Sequence, residues 1–243
     1  MAGRLAGKNI IIIGGTSGMG AAQVRLFHKE GAKLVVANRS ALSGVEMFSD
    51  IAHEVLFVKH DVSKEKDWID LIDKSEQFFN GPIDGMINNA GVLVEEGLLE
   101  TSLEGYQTLV DIMQTGAFLG MKYSAQSMLK TGTKGSIITV SSTAGIVGFK
   151  GIFAYTATKW AVRGMTKAAA LDLAEAGIRV NSIHPGDTET PMIEGFGYDP
   201  NGVPMKRFAK PEEIGFLALF LLSDDSQYIT GAEHIIDGGY TAQ

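Results

Sequence analysis

Asn9-Ile10-Ile11-Ile12-Ile13-Gly14-Gly15-Thr16-Ser17-Gly18-Met19-Gly20 runs from a β-branched stretch straight into a glycine cluster, and an amphipathic segment carrying Ala21, Val24, Leu26 and Phe27 follows it. Strand, glycine turn and helix in that order open a βαβ unit. Glycines at such a turn let the backbone fold tightly and approach a pyrophosphate, whose charge rests on free N–H groups at the helix N-terminus. The spacing is GxxxGxG and not GxGxxG, so the position after the first strand carries the reading more than the letters do. Gly14, Thr16, Ser17, Gly18, Met19 and Gly20 are the candidate phosphate contacts. An ordinary glycine-rich turn is the alternative.

Outward from that unit the same alternation continues. Short apolar, β-branched runs recur at 33–37, 56–59, 85–88, 136–140, 179–184 and 234–236, with helical apolar spacing between them. Parallel neighbours need a crossover connection, so the pattern specifies an α/β fold: a Rossmann-like, doubly wound parallel sheet covered on both faces. Amphipathic helices are expected over about 103–129 and 154–176. The stretch 190–210 holds most of the late Gly and Pro residues and reads as a loop or lid before a helix opened by Pro211-Glu212-Glu213.

The chain has 243 residues, 45% of them hydrophobic, which suits a single domain over 1–243 with a full core. It contains no Cys, so disulfides, thiolate metal sites and a Cys nucleophile are excluded. The apolar stretch near the N-terminus, Ile10 to Ile13, is too short for a signal h-region or a membrane span; a cytoplasmic, membrane-free protein is expected. The net charge of −7 without a basic run argues against nucleic acid as a partner. His28, His53, His60, His184 and His234 show no ligand spacing, so no metal is expected in the chemistry.

The second strand ends in Asn38-Arg39-Ser40, where a dinucleotide's adenosine ribose would lie. An acid there would bind the 2′-hydroxyl and repel a 2′-phosphate. With Asn38 uncharged and Arg39 beside it, a 2′-phosphate meets a charge-assisted partner instead, so NADP(H) is expected and NAD(H) is the alternative. Arg39 as a solvated surface charge is the plainer reading. Asp61, after the third strand, is a candidate adenine contact or simply a turn former.

Tyr155 and Lys159 stand four residues apart in a helix-prone run and so share one face. Making a tyrosine basic near pH 7 takes about 3 pKa units, or about 4 kcal/mol. One positive charge at about 4 Å with an effective dielectric of about 20 supplies about that much. Lys159, helped by a cationic nicotinamide ring, is sufficient in magnitude. The strand before them ends in Ser141-Ser142, at the carboxyl edge where ligands of parallel sheets bind. Ser142 can donate to a substrate oxygen while Tyr155 transfers the proton; Ser141 reads as a turn residue.

With these residues in place the chain resembles the short-chain dehydrogenase/reductase family over essentially its whole length. Besides GGTSGMG, the resemblance rests on Asp61-Val62, Asn88-Asn89-Ala90-Gly91, Ser142, Tyr155 with Lys159, Arg179-Val180-Asn181, Pro185-Gly186 and Asp237-Gly238-Gly239. It implies that Asn88, Ala90 and Gly91 shape the path of the cofactor, that Tyr155 is the acid/base, that Ser142 orients the substrate, and that Lys159 also holds the nicotinamide ribose. It implies further that Thr188 and Thr190, after Pro185-Gly186, hold the carboxamide. Two departures stand out. Ile13 replaces a Thr common before the glycine turn, and Met113 falls where an Asn anchors a water-linked proton relay. Gln114 or Asp111 could substitute, water could reach Lys159 by another route, or Met113 simply packs.

Local runs around 158–164, 181–186 and 238–243 are similar to members acting on hydroxysteroids and secondary alcohols, so the expected partner is a small-molecule alcohol or ketone. Phe196, Tyr198, Val203 and Met205 in the lid, with Leu93 and Val94, suggest an apolar pocket, although lid aromatics serve cores equally well. A 3-oxoacyl thioester reductase is the rival; Glu95 and Glu96 after the apolar 92–94 stretch argue against an acidic carrier. A cofactor-binding sensor without turnover is the second rival, opposed by the intact Ser142, Tyr155 and Lys159. Relatives often pair through two amphipathic helices, so a homotetramer is expected, with a dimer as alternative. Some relatives hold Mg²⁺ near the C-terminus, which makes a structural ion near Gln243 a weak expectation.

Overall fold

β1 (Asn9–Ile13) lies inside a seven-stranded sheet whose order is β3-β2-β1-β4-β5-β6-β7 and whose pairings are all parallel. The other strands are β2 (Lys33–Asn38), β3 (Val55–Lys59), β4 (Gly85–Asn88), β5 (Ser136–Val140), β6 (Arg179–Pro185) and β7 (Glu233–Ile236). Each agrees with its sequence reading to within a residue. The computed structural model describes residues 3–195 and 197–242; Met1, Ala2, Phe196 and Gln243 lie outside the described residues.

Side chains of a strand alternate between faces, and β1 shows why its apolar run is unbroken. Ile11 and Ile13 enter one core with Val35, Trp68, Leu71, Met86 and Val162, whereas Ile10 and Ile12 enter the other with Val24, Phe27, Leu34, Ile214 and Leu219. All four isoleucines are buried, at about 1.5–3 kcal/mol each. α1 (Gly18–Lys29) and α7 (Pro211–Leu222) pack together over one face; α3 (Glu65–Phe79), α5 (Gly116–Thr131) and α6 (Phe153–Leu173) cover the other. α7 opens at Pro211 as expected, where the Glu213 carboxylate accepts from the Lys210 N–H at 2.8 Å.

Two elements depart from the sequence reading. A short helix, α2 (Ala41–Met47), follows β2 and is capped by Ser40. The single helix expected over 103–129 is α4 (Leu103–Leu109), a π-helical segment Val110–Thr115, and α5. A π segment inserts an extra residue per turn, which rotates the following face, and hydrophobic spacing blurs such an insertion. The helix expected over 154–176 ends at Leu173 and continues as a 3-10 turn to Ala176.

The chain runs from β1 toward β3 in one direction and from β4 toward β7 in the other. The crevice between β1 and β4, at their carboxyl ends, is therefore the switch point at which open α/β sheets bind ligands.

Candidate active site

A cleft of about 450 Å³ opens at that switch point. Gly14, Ser17, Gly18 and Met19 form its floor, Asn38, Arg39, Asp61 and Val62 one end, and Ala90, Gly91, Thr190 and Met192 the other. Gly14 has a φ of +75° and Gly18 of +47°, both left-handed. Gly20 is required for another reason: a Cβ there would fall 2.1 Å from the Gly14 carbonyl oxygen. The first turn of α1 has no side-chain cap and no acid, so its N–H groups and positive helix end are left to an anion. A glycine cradle, free amides and a cleft of this size fit a dinucleotide.

Asn38 donates its amide to Thr16 Oγ1 and accepts the Arg39 N–H at 2.9 Å, which ties the glycine turn to the end of β2. Arg39 is exposed at the cleft edge and its guanidinium makes no hydrogen bond or ion pair among the described residues. The Asp61 carboxylate accepts from the hydroxyl of Ser63 at 2.7 Å and from its N–H at 3.0 Å, and the hydroxyl bond holds its pKa below the usual range. Thr190 packs on Gly18, where a Cβ would meet its Cγ2 at 2.9 Å. Pro185 and Thr188 are buried behind the cleft, with the Thr188 hydroxyl donating to the Gly186 carbonyl at 3.0 Å.

Asn88 does not line the cleft; Asn89 does, and it donates to the Gly14 carbonyl at 3.3 Å. In parallel register Asn88 sits beside Ile13 and Thr139, and this row lines a separate cavity of about 10 Å³ together with Met113 and Lys159. Met113, in the π segment, is buried against Leu109, Ala144 and Tyr155. Packing is thus its observed part. Asp111 is engaged by Gln107, at 2.8 Å, on the cleft side.

Ser142, Tyr155 and Lys159 converge beyond the cleft's inner end. Ser142 leaves β5 and begins a 3-10 turn (Thr143–Gly145), its hydroxyl accepting the Ala144 N–H at 3.1 Å. Tyr155 is in the first turn of α6, with Lys159 one turn on. The Lys159 ammonium donates to the Val140 carbonyl at 3.0 Å and stands 5.3 Å from the centre of the Tyr155 ring. Ser141 is more than a turn residue: its buried hydroxyl donates to the Lys159 carbonyl at 3.0 Å and clips α6 to β5.

Burial governs the electrostatics. It pushes the Tyr155 phenol up to about 12, against a lowering by the Ser142 hydroxyl and with a further rise from the Asp187 carboxylate. It pulls Lys159 down to about 8. The Lys159 ammonium stands 5.3 Å from the ring centre and is committed to the Val140 carbonyl, and the phenol is not brought down by it. Without further positive charge the phenol keeps its proton at neutral pH. A neutral phenol beside a hydroxyl donor can hand a proton to an oxygen placed between them.

The lid residues divide. Val203 is buried against Gly238, and Met205, exposed, packs on the same glycine through its Cβ, so both lean on the C-terminal turn. Tyr198 donates to the Glu95 carboxylate at 2.7 Å, which joins the 190–210 segment to the loop after β4. Sequence reasoning gave no role to Asn89, to Asp187, or to His184, whose imidazole is fully buried between Ser142 and Ser182. A strand-end histidine carries no signal that separates packing from such a contact. Among the described residues no group of three His, Asp or Glu is arranged to hold a metal ion, and no helix is long and apolar enough to cross a membrane.

The family model described as enoyl-(acyl carrier protein) reductase matches residues 14–241. The chain is 40% identical over 242 residues to the 3-alpha-(or 20-beta)-hydroxysteroid dehydrogenase of Mycobacterium tuberculosis, covering 100% of this chain and 92% of the relative. It is 39% identical to the NADP-dependent (R)-specific alcohol dehydrogenase of Lentilactobacillus kefiri, with both chains covered in full. A crystal structure of a short-chain type dehydrogenase/reductase from Mycobacterium marinum superposes with a TM-score of 0.95 at 32% identity, over 98% of this chain and 97% of that one. Fold, cleft and relatives agree: the chain belongs to the short-chain dehydrogenase/reductase family, whose members use nicotinamide nucleotides, and acts on CH–OH groups.

Proposed function

We propose that the protein is an NADP(H)-dependent oxidoreductase for apolar secondary alcohols and ketones of the hydroxysteroid type. The convergence of Ser142, Tyr155 and Lys159 just beyond the Gly91 end of a dinucleotide-sized cleft carries the reading. Bound nicotinamide supplies the hydride donor or acceptor. In ketone reduction Tyr155 gives its proton to the carbonyl oxygen and Ser142 donates a hydrogen bond to the same atom; in alcohol oxidation the proton returns to Tyr155. Lys159 steadies the phenolate while the proton is away. Gly14, Thr16, Ser17, Gly18, Met19 and Gly20 hold the pyrophosphate, with Asp61, Val62, Asn89, Ala90 and Gly91 along the adenosine and nicotinamide path and Pro185, Gly186, Thr188 and Thr190 at the carboxamide.

Arg39, uncommitted at the cleft edge, supports the 2′-phosphate reading, and the NADP dependence named for the Lentilactobacillus relative is in keeping with it. The segment 190–210 acts as the substrate lid. Large apolar side chains on the outer faces of α4, α5 and α6, among them Leu103, Phe118, Trp160 and Leu171, are exposed and support a homotetramer paired through these helices. A chain without cysteine suits the cytoplasm.

The matched family's description favours an acyl-thioester substrate as the second reading, and the acidic pair Glu95–Glu96 that follows the apolar 92–94 stretch opposes an acidic carrier. The test is NADPH oxidation with steroid ketones, small cyclic ketones and 3-oxoacyl thioesters in parallel. Ketone turnover that falls about 100-fold to 10,000-fold in Tyr155→Phe while NADPH still binds supports the assignment; turnover of thioesters alone, or turnover indifferent to Tyr155, sinks it.

A further inference from the structure

One titratable group beside the site is left unused by this chemistry. His184 of β6 is fully buried, its Nδ1 lies 3.0 Å from the Ser142 carbonyl oxygen, and its Nε2 lies 2.8 Å from the Ser182 hydroxyl. A carbonyl oxygen only accepts, so Nδ1 carries the hydrogen and donates. Burial lowers the imidazole's affinity for a second proton. In the neutral ring Nε2 is then the acceptor, and the Ser182 O–H donates to it. The charged groups facing the ring are Glu233 of β7 and Arg163 and Lys159 of α6; Arg163 and Glu233 are already paired at 2.8 Å.

The position of this chain of bonds gives it a purpose. The β5–β6 ladder makes its last bond from the Ser141 N–H to the Ile183 carbonyl, at 2.8 Å. Ser142 follows Ser141 beyond the end of β5 and His184 is the next residue on β6, so beyond the ladder's end a side chain supplies the link that the backbone no longer makes. The Ser142 carbonyl also accepts the Gly145 N–H at 2.9 Å, and the Ser142 hydroxyl accepts from Ala144. With both carbonyl lone pairs taken, the Ser142 peptide plane is fixed from two elements.

We propose that His184 is a positioning residue for Ser142: the sequence Ser182 hydroxyl, imidazole, Ser142 carbonyl holds the peptide from which the Ser142 hydroxyl is aimed at the substrate oxygen. The inference rests on the role assigned to Ser142 above. His184→Phe keeps a ring and removes both nitrogens, whereas His184→Asn places an amide N–H near the position of Nδ1. Expected is a fall in kcat for ketone reduction of about tenfold to a hundredfold in His184→Phe, with NADPH affinity unchanged, and recovery of most of it in His184→Asn. In a Ser142→Ala background His184→Phe should cost nothing further, because the group it aims is gone.

Equal losses from His184→Phe with and without Ser142 would overturn the inference and leave the dehydrogenase reading standing. A Ser142→Ala variant with full kcat would overturn the reading of the site itself. Should His184→Phe fail to fold, imidazole ¹⁵N spectra of the unaltered protein decide: a neutral, Nδ1-protonated ring supports the proposal, and an Nε2-protonated tautomer or an imidazolium at neutral pH overturns it.

Discussion

Two cationic side chains make opposite bargains with water. Arg39 sits exposed at the cleft edge with its guanidinium uncommitted, so removing it should disturb binding and little else. A charge-assisted bond contributes about 1.5–3 kcal/mol, so Arg39→Ala is expected to lower kcat/KM with NADPH by about tenfold to a hundredfold and leave the NADH value nearly unchanged. Parallel assays with the two cofactors check it. Lys159 is buried and drawn down from 10.5 to about 8. Below about pH 8 both folded and unfolded chains hold the charge, and the folded one bears the whole cost of burying it, about 3 kcal/mol. Between 8 and 10.5 the folded lysine has lost its proton while the unfolded one keeps it, so the cost fades as pH rises. Lys159→Met should therefore abolish turnover yet raise the unfolding free energy by up to about 3 kcal/mol near neutrality, with the gain vanishing toward pH 10.5. Urea titrations across that range measure it, and a variant less stable than the parent at neutral pH would contradict the assignment.

At the scale of elements, the glycine turn was legible because its constraints are local. Gly14 is needed for its own left-handed φ of +75° and Gly20 for its approach to the Gly14 carbonyl, and a reader of the chain meets both within the same dozen residues. Gly20→Ala is accordingly expected to force the turn open, lowering stability by about 1–3 kcal/mol and weakening NADPH binding more than it weakens folding; thermal unfolding with and without NADPH separates the two. The strands were legible for the same reason, since burial on both faces writes an unbroken apolar run such as Ile10 to Ile13. Illegible were the features set by packing between distant segments. The π segment that turns Met113 inward looks like any helix in its spacing, Asn89 and not Asn88 faces the cleft because of where β4 ends, and Val203 is claimed by the C-terminal turn. The link from His184 to Ser142 joins residues 42 apart, and nothing in either neighbourhood announces it.

For the whole molecule, the exposed apolar side chains of α4 to α6 are the unfinished surface. Trp160 and Phe118 are each nearly half exposed, and Leu171 far more so. If pairing runs through this face, the double change Phe118→Glu with Trp160→Glu should shift the protein from tetramer toward smaller species in sedimentation, with the monomer's fold retained. An unaltered sedimentation profile would overturn the proposed pairing through this face. The seam between β1 and β4 has a wider consequence. It divides the sheet into one half formed by the first 59 residues and another formed after residue 84, and the cleft straddles the join. A nucleotide lying there bridges the halves, and occupancy at about 100 times the dissociation constant adds about 2.7 kcal/mol against opening. The lifetime of this protein against proteases is thereby coupled to the supply of its nucleotide: a starved pool leaves more of the chain open to cleavage, and a replete one preserves it.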